Sequence, residues 1–583
     1  MMNNIVSISP IKRFINLLKI DKQGILSIYI YALFNGLVTL SLPLGIQAII
    51  NLISGGQVTS SWIVLVIFVI AGVAISGVMQ IMQLVISENL QQKIFTRSAF
   101  EFAYRIPKMK LEAVDKAYIP ELVNRFFDTL SVQKGLSKIL MDFSRASLQV
   151  IFGLVLLSLY HPFFILFSLV LVTIVYLIFH FTSPQGLKTS LIESKYKYEV
   201  AHWLEELARV MGTFKLAGKS PLAMAKTDNA VAGYLTSRKA HFKTLMVQYI
   251  NLVGFKVIIA AGLLLIGGLL VINQQMNIGQ FVASEIIIIL VLTSVEKLIL
   301  SMEIIYDVLT AIEKIGNVTD IPLERDTGTK LILKKEEGLS VNLNNLSYRF
   351  SDVKGDILKE IHLDLKAGDK LCLSGFEGSG KSLLLQIIAG LYDDFSGVIA
   401  YNNIPLRNLN KEELRSLIGD SLNIEDIFKG TLEENITLGK PGIDLEQLRK
   451  AAEVVGLTEF VRALPEGYDT MLLPEGKNLP KSVRLKIMLA RSLAENPQLI
   501  LVEDNFNHLN PIDKNRFLDY LLTKKCTVVV VSNDPYVAAK FGKVAVLDDG
   551  RLIAHDPFET IVNKEWYFKV FQTKLTYAEF KSK

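Results

Sequence analysis

The sequence predicts a two-part chain: an all-α membrane domain of six transmembrane helices, followed by an α/β domain built around a phosphate-binding loop. Three observations carry that expectation. Long apolar runs recur through the first half of the chain. The stretch GFEGSGKS (375–382) lies between an apolar strand-like run and an apolar helix-like run. From about residue 321 the long apolar segments give way to short β-branched ones. At 583 residues the chain exceeds what one hydrophobic core accommodates, so at least two domains are expected.

The membrane half comes first. Half of all residues are hydrophobic and the mean hydropathy is +0.37, an excess concentrated in residues 24–53, 62–87, 163–181, 255–272 and 281–304, with a shorter run at 146–160. A bilayer core takes about 20 apolar residues per helix, so these read as six spans. The 146–160 and 163–181 runs form a hairpin through YHPF, where Pro162 breaks the helix. The connections 54–61, 159–162 and 273–280 contain no Lys or Arg, whereas Lys12, Arg13, Lys19 and Lys22, and then Lys93, Arg97, Arg105, Lys108, Lys110 and Lys116, populate the opposite side. Positive residues stay cytoplasmic, which places both termini and the long connections there. The N-terminus does not read as a cleavable signal, because a span-length run follows it without a small-residue cleavage pattern.

The long connections, about 88–145 and 183–248, carry helical patterns, so the membrane helices are expected to continue into the cytoplasm. Each has a break, AYIPELVNRFF with Pro120 and VMGTFKLAGKS with Gly212 and Gly218. Residues 1–320 form the membrane domain, 321–338 a polar linker and 339–583 the α/β domain. The only cysteines, Cys372 and Cys526, lie in apolar strand-like runs; they form no CxxC pair and suit a reducing compartment. The net charge of +5 is accounted for by the cytoplasmic connections and gives no footing for nucleic acid.

In the phosphate loop, Gly375, Phe376, Glu377, Gly378, Ser379, Gly380, Lys381, Ser382 and Leu383 follow the strand and open the helix. The glycines let backbone N–H groups curl around phosphates at a helix N-terminus. Lys381 reaches the β- and γ-phosphates, and Ser382 ligands Mg²⁺. The full GxxxxGKS in this context is specific; a glycine turn alone is not.

Six spans with extended cytoplasmic loops followed by this domain resemble an ABC exporter half-transporter, a likeness that covers nearly the whole chain. The stretches LPLGIQAIINLISGGQ and PELVNRFFDTL are most similar to the type I secretion and bacteriocin-exporter branch. The peptidase domain of some members is not expected, as about 23 residues precede the first span. The resemblance implies ATP and Mg²⁺ as ligands and places Phe350 where an aromatic stacks on adenine. It further implies a homodimer or a heterodimer with another ABC half-transporter in the lipid bilayer of a bacterial-type inner membrane, and a periplasmic adaptor protein as a further partner. The PELVNRFF and GTFKLAGK breaks look like the family's coupling helices.

The chain departs from the family pattern at four places. The Q-loop glutamine, which contacts Mg²⁺ and the attacking water, is Asn423. The LSGGQ signature reads Leu479-Pro480-Lys481-Ser482-Val483: Pro480 removes a hydroxyl and an N–H, and Lys481 sets a side chain where a glycine admits the phosphate. In the Walker B run, Glu503 aligns with the Mg²⁺-linked aspartate and Asp504 with the general-base glutamate, a swapped pair; a one-residue shift restores the aspartate but places Asn505, which cannot take a proton, at the base position. The switch histidine is Asn533. His508 lies in NHLN, the counterpart of the D-loop. Binding groups are retained while water-orienting groups are altered, so slow hydrolysis is expected. Within span six, Glu285 and Glu296 are eleven residues apart, three helical turns, and share a face. The alternative for Glu296 and Lys297 is snorkelling or structural pairing at the inner interface. The functional expectation is an ATP-binding exporter moving a peptide, protein or other substrate out of the cytoplasm. The competing expectation is a catalytically inactive regulatory ABC subunit beside an active paralogue.

Overall fold

The computed structural model describes residues 9–54, 60–115, 117–325, 327–331, 338–350, 353–422 and 427–573. The chain divides into two compact units, Met1–Met109 with Lys116–Pro322, and Lys110–Asp115 with Leu323–Lys583.

In the first unit, six helical stretches among the described residues are long and apolar enough to cross a membrane: Lys22–Ile53, Ser61–Lys108, Ile119–Ser158, Phe163–Arg209, Leu222–Ile272 and Ile278–Thr319. The fifth has 51 residues. At about 1.5 Å per residue it far exceeds a hydrocarbon core of about 30 Å, so span and extension are one continuous helix. Span one is broken at Leu40, between the helices Lys22–Thr39 and Ser41–Ser54. Pro43 has no N–H to offer the Thr39 carbonyl and its ring crowds that oxygen. Span three contains a π-helical turn, Ile139–Phe143. The hairpin expected at YHPF is present: one helix ends at Ser158 and the next starts at Phe163, with Pro162 as its N-cap.

The interior of this unit is polar in places, and some of its polar groups pair across helices. Gln248 Nε2 donates to Thr182 Oγ1 at 2.9 Å and to the Tyr306 hydroxyl at 2.8 Å. Thr189 and His241 Nδ1 are 2.8 Å apart, and Ser190 and Thr310 2.9 Å. Such bonds between apolar helices fix which faces meet. The two span-six carboxylates behave differently. Glu296 forms an ion pair with Lys256 of span five at 2.7 Å, the structural pairing, though with Lys256 and not with its neighbour Lys297, which is exposed. Glu285 is half-buried and has no hydrogen bond or ion pair among the described residues. The Pro120 break forms the short helix Ile119–Asn124, and the Gly212 break the short helix Met211–Leu216.

Among the described residues the second unit contains twelve strands: β1 (Val341–Tyr348), β2 (Leu358–Leu365), β3 (Lys370–Gly375), β4 (Ser396–Tyr401), β5 (Ile404–Pro405), β6 (Ile418–Ser421), β7 (Gly430–Thr431), β8 (Met471–Leu472), β9 (Leu499–Glu503), β10 (Thr527–Val531), β11 (Lys543–Asp548) and β12 (Arg551–Pro557). An antiparallel sheet runs β2-β1-β4-β5, and a six-stranded sheet β12-β11-β3-β10-β9-β6. In the larger sheet all pairings are parallel except β11 with β12. Its central strands β9 and β10 are near-continuous apolar runs because helices and the second sheet cover both faces. Alternate residues feed two cores: Cys372, Ile500, Val502, Val528 and Val530 one, Leu371, Leu373, Leu499, Leu501 and Val529 the other. The short helix Leu111–Val114 belongs to this unit, with the Glu112 carboxylate accepting the Asp393 N–H and, at 3.3 Å, the Asp394 N–H.

Candidate nucleotide site

The three segments that the sequence marks for phosphate chemistry leave the sheet at one edge. β3, β10 and β9 are neighbours in that order, and their carboxyl ends are Gly375, Val531 and Glu503. Parallel α/β sheets bind ligands at this edge. The loop after β10 therefore has the phosphate loop on one side and the Walker B carboxylates on the other, each about 4.8 Å away in the sheet.

The phosphate loop takes its shape from its glycines. Gly375, Gly378 and Gly380 have φ of 153°, 71° and 93°. A Cβ on Gly375 would lie 2.3 Å from the Leu547 carbonyl oxygen, so only glycine fits there. Gly380 caps the helix Lys381–Ile388 in left-handed geometry and gives no side-chain cap, so the first N–H groups stay available to an anion. Ser379 is buried and its hydroxyl donates to the Phe376 carbonyl at 2.7 Å. Leu383 is buried in the core, whereas Glu377 and Gly378 are exposed at the loop tip.

Lys381 Nζ donates to the carbonyls of Gly375 at 2.8 Å and Phe376 at 2.7 Å. Burial lowers its pKa from the usual lysine value, opposed by the nearby Glu377 and Glu503 carboxylates. The Ser382 hydroxyl donates to the Glu503 carboxylate. Two hard oxygens are thus brought together beside the phosphate loop, a donor set of the kind Mg²⁺ takes when one or two protein ligands hold it and phosphate and water fill its shell. Among the described residues no group of three or more His, Cys, Asp or Glu lies close enough together to hold a metal ion. Phe350 is half-buried in an edge-to-face cluster, 5.3 Å from Tyr348 and 6.1 Å from Tyr392 between ring centroids.

Around this cradle the altered residues occupy defined places. Gly375 N–H donates to Asn533 Oδ1 at 3.0 Å, and Asn533 Nδ2 donates to the Gly375 carbonyl at 2.9 Å. Asp504 is engaged on both oxygens: Oδ1 accepts the Phe506 N–H at 2.9 Å and Oδ2 accepts the Ser532 hydroxyl. Pro480 is the N-cap of the helix Lys481–Ala494 and offers no side-chain cap. Lys481 is exposed and Ser482 half-buried, neither with a side-chain hydrogen bond among the described residues. His508 is exposed in the turn Phe506–His508. Asn423 lies outside the described residues.

Sequence reasoning missed Ser532. Its signal was the run Ser532-Asn533-Asp534-Pro535 directly after a β-strand, a cluster of residues whose side chains bond to nearby backbone.

A phosphate loop at the switch edge of a parallel sheet, in one chain with six membrane-spanning helices, defines a membrane protein that binds ATP. Two family models match, that of the ABC transporter over residues 358–507 and that of the ABC transporter transmembrane region over residues 25–295. The chain belongs to the ABC transporters. It is 27% identical over 368 residues to the alpha-hemolysin translocation ATP-binding protein HlyB of Escherichia coli O157:H7, covering 62% of this chain and 51% of that one. It is 25% identical over 440 residues to the transport/processing ATP-binding protein ComA of Streptococcus pneumoniae serotype 4, covering 74% and 60%. The chain thus spans about half to three-fifths of the length of these relatives. A solved bacterial Atm1-family ABC exporter with ATP bound superposes with a TM-score of 0.78 at 16% identity, covering 97% of this chain and 98% of that one, which shows the ABC exporter fold.

Proposed function

We propose that this protein is an ABC exporter half-transporter that dimerises in a bacterial-type inner membrane, binds ATP with Mg²⁺ and hydrolyses it slowly. Its substrate is a peptide or protein leaving the cytoplasm, the class suggested by relatives named for alpha-hemolysin translocation and for transport and processing. A periplasmic adaptor accompanies that reading.

One observation carries the nucleotide half of the proposal. The phosphate cradle keeps its lysine, its glycines and the Ser382–Glu503 pair, whereas Asp504 is committed to two internal hydrogen bonds. In this reading Phe350 stacks on the base, the loop N–H groups and Lys381 hold the phosphates, and Ser382 and Glu503 hold the metal. When bound, Mg²⁺ neutralises charge that develops between the β- and γ-phosphates. Asp504 takes the proton of the attacking water, and positioning of that carboxylate limits the rate.

ATP turnover by the purified, lipid-reconstituted protein, beside Lys381→Ala and an ATP-binding measurement, tests this. Binding with turnover slow but above the Lys381→Ala background is the expected result. Binding without turnover favours the second reading, a regulatory ABC subunit paired with an active paralogue, for which the engagement of Asp504 and Asn533 also speaks. Absence of ATP binding overturns both.

A further inference from the structure

We infer that Ser532 is a positioning residue that latches the Asp504 carboxylate away from water and so sets the slow turnover of this chain. The inference rests on the proposed ATPase reading and names the side chain responsible.

The latch follows from where one proton must point. Ser532 is the first residue after β10 and is 2% exposed. Its hydroxyl oxygen accepts the Asp534 N–H at 3.0 Å, which leaves the hydroxyl proton to be donated elsewhere, and it is donated to Asp504 Oδ2. Asp534 is itself held, by Lys514 Nζ at 2.6 Å and by the Tyr536 N–H at 2.9 Å. The hydroxyl is therefore oriented by a chain of fixed groups and not free to rotate. The other Asp504 oxygen accepts the Phe506 N–H at 2.9 Å, and the Asp504 N–H donates to the Val531 carbonyl at 2.9 Å. The carboxylate is thus turned back against the β9–β10 edge.

In hydrolysis a water oxygen bonds to the γ-phosphorus, the bond from that phosphorus to the β-bridging oxygen breaks, and the water proton passes to a carboxylate, leaving ADP and inorganic phosphate. A base acts only within hydrogen-bond reach of that proton. Asp504 is one methylene shorter than glutamate and tied at both oxygens, so it meets that condition only after the Ser532 bond opens. The adjacent Asn533 faces the other way, onto Gly375, so successive side chains of one loop restrain the base and support the phosphate loop separately.

Steady-state ATP turnover of the full-length, lipid-reconstituted protein tests the latch, using Ser532→Ala, Asp504→Asn and the double variant. Ser532→Ala is expected to raise kcat about tenfold, a fraction of what a positioned base supplies. KM should stay within about twofold, because the interaction lost is not one made to the nucleotide. In the Asp504→Asn background the same change is expected to give no rise. Unchanged, lowered or absent turnover in Ser532→Ala overturns the inference, as does an equal rise without Asp504. Binding of a fluorescent ATP analogue checks that the variant is folded; if it is not, Ser532→Cys, close in volume and a weaker donor, is read by the same criteria. The exporter reading fails on different, wild-type results, namely loss of ATP binding, or binding without turnover above the Lys381→Ala background.

Discussion

Asn533 and Gly375 exchange two hydrogen bonds, N–H to Oδ1 at 3.0 Å and Nδ2 to carbonyl at 2.9 Å. The side-chain amide continues the β3–β10 ladder beyond Leu373 and Val531, where the backbones separate. Gly375 is buried, so removing the amide leaves its N–H unpaired, at a cost of about 1–3 kcal/mol. Asn533→Ala is expected to lower Tm and weaken ATP binding together, since the bond supports the start of the phosphate loop. Thermal unfolding and equilibrium binding on the same preparation check this; unchanged values for both mean that the loop stands without the pair.

Lys381 gives a prediction with a pH sign. Burial lowers its pKa below the usual 10.5, so the folded protein releases this proton at a lower pH than the unfolded chain. Between the lowered value and 10.5 the unfolded state binds more protons, and stability from this group rises with pH. Below that window both states carry the charge and the burial cost is present in full. Lys381→Met lacks the term, so its stability relative to wild type falls as pH rises through the window. It also loses the Tm increase that ATP gives the wild type. Paired melting curves in the alkaline range, with and without ATP, check both; a relative stability that rises with pH contradicts the assignment.

The sequence made some features legible and hid others for physical reasons. Apolar runs of bilayer length identified six spans because lipid imposes a length on any helix that crosses it. The glycine pattern of 375–382 marked a tight loop because few residues besides glycine adopt the backbone angles found there. Pairing across the fold was not legible. Glu285 and Glu296 share a helical face by arithmetic, but Glu296 binds Lys256 through a contact whose members are 40 residues apart. Ser532 was not singled out, because its bond to Asp504 depends on which strand lies next to β10, and strand order is a tertiary property.

The two cysteines yield a labelling prediction. Cys372 is fully buried in the central strand β3, and burial pushes its thiol up to about 12; Cys526 is also buried and its pKa raised, chiefly by burial. The thiolate is the reactive form, so both are expected to resist iodoacetamide at pH 8 in the folded protein and to react after denaturation. Mass spectrometry before and after denaturant reads the result. Native labelling of Cys372 would mean that the β3 region opens locally.

Gly186 shows how closely the membrane helices meet. An added Cβ would lie 2.3 Å from Cζ of the Tyr306 ring and 2.6 Å from its hydroxyl oxygen. Tyr306 is 1% exposed, and its hydroxyl accepts from Gln248, which also donates to Thr182. The ring cannot retreat without breaking that bond. Overpacking of this kind costs about 1–3 kcal/mol, and a hydrogen bond between membrane helices adds about 0.6 kcal/mol. Gly186→Ala is therefore expected to lower the Tm of the detergent-solubilised protein by several degrees. Gly254, in span five, has no atom within 4 Å of its would-be Cβ, and alanine there improves helix propensity. Gly254→Ala is accordingly expected to leave Tm unchanged or raised. A fall in both would attribute the effect to loss of helix flexibility; a fall in Gly186→Ala alone assigns it to the contact with Tyr306.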